Sequence, residues 1–351
     1  MIQKTIPLHG GPCGLRHLVV FCVTVASLAG RAEEPSAGSP VQEAVARGRT
    51  WLVEAQTADG SWGSGLFRES VAVTAQAVMA LVAGGSTPAS GEYAAAVTRG
   101  VDFCLACAAA DGLIAGREQA AHGPMYGHAY ATLALAEVYG ETARDDEIAA
   151  VLVRARDLIE RTQNDAGGWR YQPRRADADA SVTAAMVVTL RGLQNSGFAV
   201  TADCVERGVA YLESLQNDDG GFRYLSSGGP SGAPRTAAAL FALLAADSKG
   251  SVIDRGFTWL AGHPVTLGRA DGYAMYGLAH GAAAHWVRGT TSWDSWFATV
   301  KDPLLAAQQA DGSWTDPSCA EYGTAAALTV LQMADGLAPL FGRMPCGEEA
   351  E

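Results

Sequence analysis

The sequence predicts an all-α protein, an (α/α)6 toroid made of six helix-pair repeats. Three observations carry that expectation. A pattern of Gln, polar residues, Gly and an aromatic recurs as QTADGSW (56–62), QNDAGGW (163–169), QNDDGGFRY (216–224) and QQADGSW (308–314). Charged helical segments alternate with Ala-rich ones of three or more turns, and no stretch alternates apolar and polar as a half-buried strand would. The period is about 50 residues, in the range of stacked or ring-forming repeat architectures.

Each unit opens with a charged helix carrying a large apolar anchor. The six openings are RGRTWL at Arg47, RGVDFC at Arg99, RARDLI at Arg154, RGVAYL at Arg207, RGFTWL at Arg255 and VKDPLL at Val300. Their anchors are Trp51, Phe103, Leu158, Tyr211, Trp259 and Leu304. A Gly-rich turn, typically Asp-Gly, ends this helix, because Gly tolerates φ > 0. The apolar second helix follows, over 69–82, 127–140, 177–193, 234–246, 272–286 and 320–333. Their small side chains allow close helix contact, so these six form an inner ring and the charged ones an outer ring. Six pairs close on themselves here rather than leaving an open solenoid, since the end units are too apolar for solvent.

The repeated pattern is a clasp between units. Gln56, Gln163, Gln216 and Gln309 bond to backbone at the next helix, while Trp62, Trp169, Phe222 and Trp314 pack beneath. The second unit has Ala108 for the Gln, and the fifth has GHPVTLGRADG (262–272), so those two turns depart from it.

Residues 1–32 have the pattern of an export signal. Lys4, Arg16 and His17 precede the apolar run LVVFCVTVASLAG (18–30), which is short for a span of about 20 residues. A linker over 33–44, the toroid over 45–342 and a polar tail over 343–351 complete the division. The expected location is the periplasm or the outside of the cell, with no integral membrane segment after cleavage. The chain has a formal charge of -12 and three lysines, Lys4, Lys249 and Lys301, so nucleic acid is not an expected partner. Of seven cysteines, Cys13 and Cys22 lie in the leader. The other five do not make a disulfide framework, and Cys104 and Cys107 sit in a helical pattern rather than a redox motif.

The motifs QNDAGGW and QQADGSW resemble the QW repeats of squalene and other terpenoid cyclases. The same toroid serves protein prenyltransferase β subunits and thioester-containing domains, and the resemblance covers nearly all of 45–342. It implies the fold, whereas the activities of that superfamily differ. In class II cyclases an Asp-x-Asp-Asp motif protonates an alkene. Here Asp177-Ala178-Asp179-Ala180 stands at a corresponding place, Asp179 maps to the proton donor, and Ala180 removes one carboxylate. The structural alternative is that Asp177 or Asp179 caps a helix. The prenyltransferase zinc ligands have no matching triplet. The nearest material is Asp316, Cys319 and Glu321, with His280 and His285 a unit earlier, and neither metal nor other cofactor is expected. The tail Pro345-Cys346-Gly347-Glu348-Glu349 lacks the Gln of a thioester motif.

The toroid should bring the inner-helix N-termini to one mouth, which favours anions. Glu69, His122, Tyr126, His128, Tyr130, Asp177, Asp179, Arg235, Asp271, Tyr273, Tyr276, Glu321 and Tyr322 are the side chains expected there. His128 and Asp179 would form an acid–base pair if their helices face each other. TTSWDSWF (290–297) lies between the fifth inner and sixth outer helices, as a lid, a partner patch or a core cap. Two functional readings follow. The central cavity binds or modifies a small amphipathic or isoprenoid-like, lipid-like molecule. Alternatively, the rim of a non-enzymatic envelope scaffold binds a polypeptide or glycan.

Overall fold

Ser39 starts the first helix. Its hydroxyl accepts from the Gln42 N–H, the Gln42 side chain bonds back to the Ser39 N–H, and Pro40 takes the first helical position, where no N–H is needed. The computed structural model describes residues 38–116, 123–268 and 273–335. The leader, residues 33–37 of the linker, residues 336–342, the polar tail, His122 and Asp271 lie outside the described residues.

Twelve α-helices follow in order among the described residues: α1 (Pro40–Glu54), α2 (Val71–Ala83), α3 (Ala94–Ala106), α4 (Met125–Val138), α5 (Asp145–Thr162), α6 (Ala180–Asn195), α7 (Ala202–Ser214), α8 (Ala233–Ala245), α9 (Ser251–Gly262), α10 (Ala274–Arg288), α11 (Thr290–Ala306) and α12 (Ala320–Leu331). No strand occurs among these residues, only isolated bridges at the turns. The even-numbered helices are the inner ones. α6 buries twelve of its sixteen residues, whereas α7 buries four of thirteen, on one stripe. Each inner helix packs on the next, and α12 returns to α2, so the ring is closed. Across that closure the Gln332 amide donates to the Ala80 carbonyl at 3.0 Å, and the Ser64 hydroxyl to Glu321 at 3.0 Å.

The clasp takes a definite form. The Gln163 Nε2 donates to Gly167 O and to Cys204 O on the following outer helix, both at 2.8 Å, and Arg207 donates to its Oε1. Trp169 donates from its indole to Ile159 O at 2.8 Å and from its backbone to the Thr183 hydroxyl at 3.1 Å. Gly167 holds φ 93, and a Cβ there would stand 2.3 Å from the Arg207 carbonyl oxygen. Gln56 and Gln216 repeat these bonds, with Arg99 and Arg255 as their partners.

In the sixth unit the structure corrects the expected register by one residue. Gln308, not Gln309, reaches Gly312 O and Ala44 O, each at 2.9 Å, and receives Arg47. The Trp62 indole bonds Leu52 O and the Trp314 indole bonds Leu304 O, so Thr299 rather than Val300 matches Arg47. The run of two glutamines hides the register in sequence; the four-residue reach from Gln to Gly fixes it. Gln308→Ala is therefore expected to cost about 1–3 kcal/mol, since it strands the carbonyls of buried Ala44 and Gly312. Gln309 is exposed and its side chain donates to the Ala307 carbonyl nearby, while its backbone bonds to Ser313 and Gly312 survive truncation, so Gln309→Ala should stay within about 0.5 kcal/mol. Thermal melts of the two variants check this.

TTSWDSWF is neither loop nor lid. It forms the opening turns of α11, which follows α10 after Gly289 alone, and Trp293 is buried there with its ring stacked on Phe297 at 4.8 Å. No described helix is long and apolar enough to cross a membrane.

Candidate functional site

Helical geometry sorts the inner-helix side chains into two directions. Thr74, Thr183, Thr236 and Thr324 each accept the backbone N–H of a clasp aromatic, so they face the outer ring. Two residues earlier, about 200° around the helix, the side chain faces the axis. Ser181 and Tyr322 hold that register on α6 and α12, and Tyr126 and Tyr276 hold it on α4 and α10. One turn beyond Tyr126, Tyr130 stacks on it at 6.2 Å. Tyr171, from the turn after α5, lies 6.2 Å from Tyr126 on the other side, and its hydroxyl meets that of Tyr224. Ser181 stands beside Tyr126 and Tyr276. Burial pushes the phenols of Tyr126, Tyr130, Tyr276 and Tyr322 well up, so all remain neutral donors at physiological pH.

Asp179 sits at the edge of this tyrosine cluster and is fully buried. Its Oδ1 caps α6, accepting the Ser181 and Val182 N–H groups, both at 2.9 Å. Its Oδ2 has no hydrogen bond of good geometry, and Arg170 Nε stands 3.7 Å away. Removal from water raises this carboxyl to about 6, against the pull of the two N–H groups, Tyr224 and Arg170. The cap and the buried acid are thus one residue. Asp177 does not assist: it is largely exposed, paired with Arg170 and held low by that ion pair. Burial, not a neighbouring carboxylate, raises Asp179. Tyr130 likewise buries a hydroxyl with no hydrogen-bond partner among the described residues.

The cluster borders the shaft of the ring. A cavity of about 80 Å³ runs there between Gln76, Met79, Tyr130, Phe241, His280 and Tyr322. His280 is neutral, its pKa lowered to about 4 by burial.

The remaining sequence candidates lie elsewhere. His128 does not meet Asp179. It takes the place of the clasp threonines, accepting the Ile114 N–H at Nδ1 at 3.2 Å while Nε2 meets Ala155 O at 3.3 Å. Burial lowers it to about 4, so it is a neutral structural histidine. The unfolded chain takes up this proton near pH 6.5 and the folded chain refuses it until about 4. Stability therefore falls as pH drops through that window, by about 3 kcal/mol from His128. A His128→Thr variant melted across pH 4–7 should lose that slope. Arg235 is bound to the carbonyls of Phe222 and Pro230 in its own turn. Tyr273 is 63% exposed. Glu321 faces Ser64 at the ring closure. Glu69 precedes the α2 cap with φ 55 and borders a separate shallow pocket beside Phe103 and Cys107. Among the described residues no group of three or more His, Cys, Asp or Glu could hold a metal. Cys204 and Cys319 are buried thiols raised to about 12 by desolvation.

No known family profile matches the chain, and no curated protein matches it. Solved structures do. The type II terpene cyclase MstE from Scytonema superimposes with a TM-score of 0.58 at 15% identity, over 85% of this chain and 99% of that one. A family 76 glycoside hydrolase from a bovine Bacteroides thetaiotaomicron strain gives 0.62 at 12% identity, over 84% and 77%. A protein from Actinoplanes gives 0.54 at 18%, over 85% and 99%. The fold is similar to that of type II terpene cyclases and of some glycoside hydrolases.

Sequence reasoning missed Arg170, Ser181, Tyr171 and Tyr224. A signal for two of them was present. GGWRY (167–171) and GGFRY (220–224) extend the clasp by Arg-Tyr in the third and fourth units alone, and those are the tyrosines that meet beside Asp179.

Proposed function

We propose that the protein binds a small amphipathic molecule against the tyrosine cluster and protonates it, with Asp179 as general acid. One observation carries this reading: a fully buried carboxyl, raised to about 6, with one oxygen capping α6 and the other facing Arg170 at the edge of the tyrosine cluster. A general acid works best with a pKa near the operating pH. Tyrosine faces favour positive charge as the proton is delivered. An acid of this strength suits a heteroatom, such as a leaving oxygen or an enol, better than an unactivated alkene.

An isoprenoid-like substituent matches the apolar lining of the shaft. A variant of MstE has been solved in complex with its substrate geranylgeranyl dihydroxybenzoate, with a TM-score of 0.53 at 15% identity. The shaft of about 80 Å³ is below the roughly 300 Å³ at which ligand pockets begin, so a chain of that length requires Met79 and the tyrosines to move. The same narrowness favours a second reading, a non-enzymatic scaffold whose rim meets a polypeptide or glycan. The leader-like pattern of residues 1–32 supports a location outside the cytoplasm for either role.

Native mass spectrometry of residues 33–351, with a thermal-shift panel of prenylated phenols and glycosides, separates the readings. A solvent-extractable adduct, or a shift lost in Asp179→Asn, supports the acid site. A bare mass with no shift across the panel rejects it in favour of the scaffold.

A further inference from the structure

Five of the six joints between units are plugged. Trp62, Ile114, Trp169, Phe222 and Trp314 are each buried between successive outer helices. The plug packs on a small residue, as Trp314 does on Gly48, where a Cβ would come within 2.7 Å of the ring. The joint between the fifth and sixth units keeps the Gly at positive φ, Gly268 at φ 78, but has lost the Gln, the aromatic, the Arg and the small residue. Counted from Leu260 as from Leu52, Pro264 replaces the Gln and Ala270 the aromatic; Ala270 lies outside the described residues. On α11, Thr299 replaces the Arg and Val300 the Gly.

A cavity of about 670 Å³ lies at that joint, between α9, α10 and α11. It is far larger than the central shaft and within the range of small-molecule sites. Phe257, Leu260, Val265, Leu278, Trp296 and Val300 give it an apolar wall. The lining also includes His285, whose ring stacks on Trp296 at 5.3 Å and 15° and whose Nδ1 meets the Ser292 hydroxyl at 2.8 Å. Burial keeps that imidazole neutral. Arg288 lies 4.0 Å over the Phe257 ring, and among the described residues it pairs with the mostly exposed Asp254 at 3.4 Å.

We propose that this cavity is a second binding site, for a flat aromatic carboxylate whose rings fill the place of the missing plug and whose anionic end faces Arg288. The ring class follows from what fills the same joint elsewhere and from the stacked Trp296–His285 wall. The charge follows from the Arg288 guanidinium, the one formal charge in the lining among the described residues.

The test uses the mature chain and 2-naphthoate, read by tryptophan fluorescence and saturation-transfer NMR. Saturable binding is expected, retained in Asp179→Asn and lost in Val300→Trp, which rebuilds a plug. Arg288→Gln should weaken 2-naphthoate roughly tenfold while leaving uncharged 2-naphthalenemethanol unchanged, a pair that carries the test if Val300→Trp fails to fold. Absence of saturable binding, full binding by a folded Val300→Trp, or equal weakening of both probes by Arg288→Gln overturns the proposal.

Discussion

Asp179→Asn is expected to abolish acid-dependent turnover while leaving the toroid folded and, above pH 6, more stable than the parent. Asn retains a side-chain oxygen for the Ser181 and Val182 N–H groups, so the α6 cap survives. What disappears is the ionisation. The folded chain keeps the Asp179 proton to about 6, while the unfolded chain releases it near 3.8. Between those values the folded state binds more protons, so this group's stability contribution falls as pH rises. At neutral pH the buried carboxylate costs about 3 kcal/mol, which Asn removes. The advantage of Asp179→Asn should grow from pH 4 to 6 and then level. Asp179→Ala also removes the ionisation but loses the cap, so it should lie about 1–2 kcal/mol below Asp179→Asn at every pH. Chemical denaturation of the three proteins at several pH values checks this. An Asn variant no more stable than the parent at pH 7.5 would mean that the carboxylate is not strained.

Trp314→Ala should be among the most damaging single changes, at about 3–5 kcal/mol. The indole is fully buried, donates to Leu304 O at 2.8 Å and fills the space above Gly48. This joint links the last unit to the first. In an open solenoid, damage at an end loosens the end repeat alone. In the closed ring of α12 on α2, it removes support from both neighbours. Trp314→Ala and Trp169→Ala are therefore expected to lower one cooperative transition by similar amounts. A separate early transition in Trp314→Ala alone would show that the ends melt independently of the ring.

The repeats made the fold legible because the clasp needs the same atoms at each joint: a Gln amide, a Gly at positive φ, an aromatic with room above Gly48, Gly100 or Gly208. Where a joint departs, sequence pattern loses its hold. His128 resembled a catalytic base because its substitution for threonine is chemically conspicuous, yet the substitution serves a hydrogen bond to Ile114. Asp179 was legible as a cap or as an acid, and only its burial shows that it is both a cap and a raised carboxyl. The inward direction of Tyr126, Tyr276 and Tyr322 depends on register against the outer ring, which spacing alone leaves open by a residue, as the sixth unit shows. Arg170, Tyr171 and Tyr224 arrive from turns, where no helical period announces a facing side.

The central claim is that Asp179 is a buried acid poised near neutrality. The most direct measurement is a carbon-13 NMR titration of aspartate carboxyls, with Asp179→Asn assigning the resonance. The account predicts a midpoint of about 6 for Asp179. A midpoint at or below the ordinary aspartate value of about 3.9 would contradict it and reduce Asp179 to a helix cap.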